Sequence, residues 1–291
     1  MNWFVVLFVA ESLAGQAVNL KVDHATLACT DLRKLQAELA ASGVPNEYGG
    51  KHRNRATEMA IASFQDGSYL ELMGKQADAD PASFAASHWA RFLTDNAGPC
   101  GWAVQATDLS GELKRLQATG VPVGNLEKLG RDRSDGVHLE WEMAQVGTEG
   151  HGVFYPFVIR DLTPREKRVN PSGKPSAPQF AGISNVVLAV KDLDDAVRRM
   201  RKAYALTAPK RQLDNGLGAN LAIFEGTPIV LASPVEGNQE LSQRIARYGP
   251  APYAFVIHRT GDNSPATDWS RVTWLDLKTI TGRLGVTSGR Q

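Results

Sequence analysis

The 291-residue chain carries 32 Lys and Arg against 31 Asp and Glu, a formal charge of +1. That length suits about two domains with substantial cores, and no basic block interleaves with aromatics, which argues against a surface that tracks a phosphate backbone. Cys29 and Cys100 lie outside any CxxC or Cys/His cluster and read as small buried hydrophobes.

The N-terminal run Asn2 to Ala10 is apolar but too short to span a bilayer. Followed by small residues at Gly15-Gln16-Ala17, it reads as a cleaved export signal, although no Lys or Arg precedes it. An extra strand or a mis-set start is the alternative, and in either case the fold begins near Lys21. The expected compartment is accordingly exported, otherwise cytoplasmic.

From there two landmarks repeat in one register. Asp31-Leu32 returns as Asp108-Leu109, and Gly43-Val44-Pro45 returns as Gly120-Val121-Pro122, each 77 residues on. An apolar strand-like run precedes each Asp-Leu and a helix-like stretch follows it. The first copy continues through "NEYGGKH", "ATEMAIASF", a turn at Asp66-Gly67 and "SYLELMG", giving the order strand, helix, strand, strand, strand. The second continues through "GNLEKLGRDR", "VHLEWEMAQV" and "VFYPFVIRDL", with a joining segment predicted to hold a short helix around Phe84 to Leu93. Residues 166–180 are rich in proline and charge and read as a linker. A third copy opens at Asp192-Leu193, and a shorter, degenerate fourth follows Pro252, with the last dozen residues expected to fray. Paired modules of this length imply two duplicated domains, residues 21–165 and 181–291, and not a solenoid.

The strand-helix-three-strand modules, opened by "VDHATLACTDL" and closed by "DGSYLEL", resemble the vicinal oxygen chelate superfamily, which includes glyoxalase I, extradiol dioxygenases and bleomycin-resistance proteins. The stretch "GGKHRNRATEMAIASFQDGSYLELMG" with the later "YPFVIRDLTPREKR" is similar to its glyoxalase-like domain proteins. The resemblance implies an α+β fold in which paired βαβββ modules form a cupped mixed sheet. It further implies a divalent metal ion (Zn, Fe, Mn or Ni) held by a His on the first strand and a Glu on the last strand of a module. His24 and Glu71 occupy those places. Alternation puts His24 with Thr26 and Tyr69 with Glu71 on single strand faces, and a Glu flanked by Leu70 and Leu72 needs a partner or a cation. An ion pair with Arg53 or Arg55 is the alternative for Glu71.

The second copy departs from the pattern, with Gly101 standing where His24 stands and roughly Pro156 where Glu71 stands. Two ligands alone hold a metal weakly, so a third is required, and His52 is favoured over His138, Glu140 or Glu142; the alternatives are that His52 hydrogen-bonds a loop and that the other three form a solvated strand face. In "VHLEWEMAQV" the polar residues His138, Glu140 and Glu142 are expected to face the cup while the apolar set packs on helices. The expected site is therefore His24, His52 and Glu71 for the metal, Glu71 and Glu142 for proton movement, and Tyr69, Trp102, His138 and Glu140 for substrate. In the third copy Asn185 and Val230 fall at the ligand places, so the second half is expected to be metal-free and to serve packing or dimerisation. His151 and His258 read as surface residues and His88-Trp89 as a packing pair. Two functions stand open, a metal-dependent lyase, isomerase or dioxygenase acting on a small substrate with vicinal oxygens, or a metal-free protein that sequesters a small molecule; a structural or partner-binding role for the duplicated sheets is a third, for which only the degenerate second half speaks. Neither reading calls for nucleic acid or membrane, and a homodimer suits the second half.

Overall fold

In a computed structural model the chain is described at residues 18, 20–133, 135–261 and 269–287. The export-signal reading falls on residues outside that set. The first module comprises β1 (Val22–Ala28), α1 (Leu32–Ala41), β2 (Glu47–Lys51), β3 (Thr57–Ser63) and β4 (Tyr69–Lys75). Two short helices, α2 (Pro81–Ala86) and α3 (Ala90–Thr94), lead to the second module: β5 (Gly98–Gln105), α4 (Leu109–Ala118), β6 (Glu127–Asp132), β7 (His138–Ala144) and β8 (Phe157–Asp161). After α5 (Arg165–Val169) the third follows as β9 (Phe180–Ala189), α6 (Leu193–Tyr204), β10 (Lys210–Asp214), β11 (Ala219–Ile223) and β12 (Ile229–Pro234). Helix α7 (Gln239–Tyr248) then precedes β13 (Ala251–Arg259), β14 (Val272–Trp274) and β15 (Arg283–Thr287).

The repeated dipeptides are helix boundaries. Asp31, Asp108 and Asp192 are N-caps whose carboxylates accept from the backbone N–H groups of Lys34, Gly111 and Asp195, so each Asp-Leu is a cap followed by the first helical residue. Gly43 and Gly120, at φ +82° and +78°, end the first two helices, and Val44 and Val121 donate back to Leu39 and Leu116 at 2.8 and 3.3 Å. That is a Schellman closure whose apolar residue is buried, which explains why Gly-Val travels as a unit.

Within each complete module the first and last strands pair parallel, β1 with β4, β5 with β8 and β9 with β12. Modules then join through antiparallel first strands. β1 pairs with β5 to give one sheet in the order β2-β3-β4-β1-β5-β8-β7-β6, and β9 pairs with β13 to give β10-β11-β12-β9-β13-β15-β14. The fold is thus α+β with two duplicated curled mixed sheets. The tail expected to fray is instead ordered at β15, because its pairing with β13 supplies the last strand of the fourth module. Helices cover the outer faces, and one continuous apolar cluster runs from Leu27 and Leu70 through Trp102 to Val186 and Ile257, joining the two sheets into a common core.

The concave faces differ. In the second sheet Val187, Leu221, Val230 and Tyr253 pack with Leu241 and Ile245 of α7, so a helix fills that hollow. The same helix ties the halves together: the buried Arg244 guanidinium donates to Ala97 O at 2.9 Å and Pro252 O at 3.0 Å, and also to Pro99 O. Truncation strands buried carbonyls, so we expect Arg244→Ala to destabilise the chain by about 2–4 kcal/mol. Arg247→Ala, which removes an exposed pair with Asp95, should leave the urea midpoint nearly unchanged.

Candidate active site

The first sheet keeps its hollow open as a pocket of about 690 Å³. Its polar half is built on β1 and β4, which pair with Thr26 opposite Glu71 and His24 opposite Tyr69. All four side chains are buried and line the pocket. Just beyond β2, His52 reaches the same point. Its Nε2 lies 3.5 Å from Glu71 Oε1, while His24 Nε2 lies 3.9 Å from Glu71 Oε2. Thr26 Oγ1 donates to Glu71 Oε2 at 2.8 Å.

Both imidazoles are anchored through their other nitrogen. His52 Nδ1 bonds Thr57 Oγ1 at 2.8 Å and His24 Nδ1 bonds Asp23 Oδ1 at 2.7 Å. Strict alternation sends neighbouring side chains to opposite faces, which is why Asp23 escapes a pattern-based reading. The pairing of β1 with β5 shifts register between Val22 and His24, and this bulge lets both side chains meet. Asp23 is 1% exposed and sits in a cage of arginines. Arg168 Nη2 donates to it at 2.9 Å, Arg165 adds a second contact, and Arg168 also reaches Asp161 and, at 2.7 Å, Tyr69 Oη. The linker segment therefore opens with α5, whose Arg165 and Arg168 form the floor under the site. Their i,i+3 spacing in "PREKR" is the signal that places both on one helix face.

Burial alone would raise the Asp23 carboxyl, but Arg168, His24 and Arg165 hold it well below the usual carboxylate range. Burial acts likewise on Glu71, and the His52 hydrogen bond, the His24 and His52 charges and Thr26 bring it down to about 2. Tyr69, stacked on His24 with ring centroids 4.8 Å apart, has its phenol pushed up by burial and remains protonated.

The other half of the pocket is apolar, and here several expected positions need correction. Trp141, Met143, Phe157 and Ile159 form its wall, with Ala103 packed among them. In β7 the apolar Trp141 and Met143 line the pocket, while α4 packs behind the neighbouring β8. Glu142 consequently lies outside the pocket, 2.5 Å from Arg160, and His138 bonds Asp132 at 2.7 Å on an exposed edge. Glu140 reaches the pocket wall but pairs with Lys128 at 3.0 Å. Trp102 points the opposite way into the common core, fully buried, with its indole N–H on Phe154 O at 3.4 Å. The pairing of Ala103 with Phe157, matching that of Thr26 with Glu71, sets Phe157 and not Pro156 at the second carboxylate place. At the second histidine place, a side chain on Gly101 would collide with the Trp89 ring. His88 and His151 are also pocket residues, with rings edge to face at 4.4 Å. Burial lowers the proton affinity of both. In the second sheet Asn185 and Val230 stand at the ligand places among packed apolar side chains.

A family model described as a glyoxalase-like domain matches residues 22–204. The chain belongs to the glyoxalase-like domain family. The match spans the first sheet, α5 and the opening strand and helix of the second. No curated protein matches the sequence. Among solved structures, a hypothetical protein from Staphylococcus aureus aligns at 14% identity with TM-score 0.64, over 91% of this chain and 99% of that one. The Mn(II)-bound glyoxalase from Novosphingobium aromaticivorans aligns at 11% identity and TM-score 0.50, over 94% and 83% of the two chains. A mutant of 4-hydroxymandelate synthase from Streptomyces coelicolor aligns at 12% identity and TM-score 0.50, over 82% and 71%. With the family match, these likenesses in fold put the chain among the vicinal oxygen chelate proteins.

That superfamily relationship raises the question of a metal. Among the described residues no three His, Cys, Asp or Glu side chains stand as a finished metal-binding group. The donor set nevertheless fits one. Two imidazoles and a carboxylate suit Zn or Fe(II), and N···O gaps of 3.5 and 3.9 Å are a little wider than the edge of about 3.3 Å for a tetrahedron with bonds near 2.0–2.1 Å. The Asp23 and Thr57 bonds fix both Nε2 atoms toward the centre, as outer-shell partners of ligand histidines do.

Because folding depresses the Glu71 pKa from 4.5 to about 2, its ionised form stabilises the fold above pH 4.5, and that contribution is lost as pH falls toward 2. We expect Glu71→Gln to flatten the pH dependence of stability across that window, read by urea unfolding at successive pH values.

Proposed function

We propose that the glyoxalase-like domain is a metal-dependent enzyme acting on a small substrate with vicinal oxygens. The observation that carries this reading is the convergence of His24 Nε2, His52 Nε2 and the Glu71 carboxylate at the pocket floor, with each opposite Nδ1 already bonded. These three residues would hold the ion, which supplies Lewis-acid polarisation of the two substrate oxygens.

The protein's own part divides by location. Asp23, clamped by Arg168, keeps the His24 ring turned so that Nε2 faces the pocket. Thr26 and His52 keep Glu71 ionised, and a carboxylate with a pKa of about 2 is a poor proton acceptor near neutral pH, so Glu71 serves as a ligand and not as the general base. His151, set on the pocket wall against the His88 and Phe157 rings, is the imidazole left outside the proposed ligand set and takes the proton-moving role. The wall of Met143, Phe157 and Ile159 binds the apolar body of the substrate and excludes water from the reacting end.

A second reading, a metal-free protein that sequesters a small molecule, draws on the absence of a finished metal group among the described residues and on the apolar wall. Elemental analysis after reconstitution separates the two. The enzyme reading expects about one equivalent of Zn, Fe, Mn or Ni, lost in His24→Ala, His52→Ala and Glu71→Ala, with Asp23→Asn binding about 10- to 100-fold more weakly. A wild type that stays empty leaves the sequestering protein.

A further inference from the structure

Charged groups on the pocket wall are almost all matched. Arg168 pairs with Asp23 at 2.9 Å, Lys128 with Glu140 at 3.0 Å and Arg53 with Asp132 at 2.8 Å, while Glu71 sits between His24 and His52. Arg131 on β6 is the exception. It is 2% exposed, lines the pocket, and among the described residues forms no ion pair; its contacts are the carbonyl oxygens of Gly49 and, at 3.0 Å, Arg168.

A buried guanidinium held by carbonyls is not by itself a binding site, and Arg244 shows the structural version. Its donors are spread over Ala97, Pro99 and Pro252 at the junction between the sheets, and it is not among the residues that line the pocket. Arg131 has two carbonyl partners for five N–H donors and borders an open volume of about 690 Å³. Burial penalises its charge more than its surroundings repay it, with Glu71 and Tyr69 acting only from beyond contact distance. An anion arriving in the pocket would supply the missing counter-charge in a site of low dielectric, where a charge-assisted, two-pronged bond is strong.

We infer that Arg131 is the anion-recognising residue of this pocket and that its substrates are small carboxylates with an apolar body, the charged end on Arg131 and the body on Met143, Phe157 and Ile159. The substrate class rests on the reading of this pocket as the active site, but the recognition itself requires no metal. A phosphate monoester would bring a second negative charge with no second unpaired cation on the wall to meet it, and this favours the singly charged carboxylate.

The test compares phenylacetate with phenylacetamide, equal in shape and different in charge, by calorimetric titration of the chelator-treated full chain. The wild type should bind phenylacetate about 10- to 100-fold more tightly than the amide, the range of one charge-assisted bond. Arg131→Gln should abolish the preference and Arg131→Lys should reduce it. Equal binding of both probes by the wild type, no binding of either, or a preference that survives in R131Q would overturn the inference. If circular dichroism shows R131Q unfolded, R131K decides: a reduced preference supports the assignment and an unchanged one sinks it. Metal content is measured on separate wild-type protein, so an empty site with an intact carboxylate preference removes the metal-dependent reading alone. A loaded site without the preference removes the inference about Arg131 alone.

Discussion

Asp23 is the constraint on which the pocket depends. A carboxylate 1% exposed is tolerable only if fully paired, and Arg168, Arg165 and His24 together supply that pairing. The arrangement joins three separate parts of the chain: the bulged first strand, the helix after the eighth strand, and through Tyr69 the closing strand of the first module. Replacing such a cluster with apolar residues is often neutral for stability. What the charges provide here is orientation, because an imidazole bonded at Nδ1 has one remaining nitrogen and one direction in which to present it.

Much of the architecture was legible because its boundaries are enforced by local chemistry. An Asp at each helix start and a Gly-Val closure at the first two helix ends are cheap to recognise, and their constant spacing exposed the duplication. His24 and Glu71 could be placed together because strand alternation and module equivalence both hold at those positions, while His52, just beyond β2, was reached only by asking what could replace the ligands the second module lacks. The reading broke down where a strand departs from regularity or where exposure depends on a distant element. Asp23 was hidden by a bulge. His138 and Glu142 lie outside the pocket that Glu140 reaches, because Trp141 and Met143 of the same strand also face it and nothing local in an alternating strand reveals which set a distant wall will meet. Trp102 followed from the same blind spot, since an aromatic residue on a central strand suits either face equally. Arg131 gave no signal at all, as a lone arginine in a polar strand ordinarily faces water.

The two sheets share topology but have divided the work of burial. In the second, α7 occupies the hollow and the places corresponding to His24 and Glu71 carry Asn185 and Val230. In the first, α2 and α3 stand near the pocket without filling it, and Trp89, His88 and His151 edge the opening. One half of the chain therefore supplies core and support through Arg244, while the other retains a cavity whose polar and apolar ends come from different modules.

The contact between Trp89 and Gly101 bears on how this asymmetry persists. A cup built from two equivalent modules offers two equivalent ligand places, and a ligand can be introduced at the second as long as its space is free. Here the space has been taken: an indole ring lies where any side chain at position 101 would begin. A histidine restored there has no volume to occupy until Trp89 has also changed, and Trp89 in turn belongs to the small core that seats α3. The second ligand place is thus closed by packing and not by chemistry, and a two-sided cup is out of reach of any single substitution at position 101.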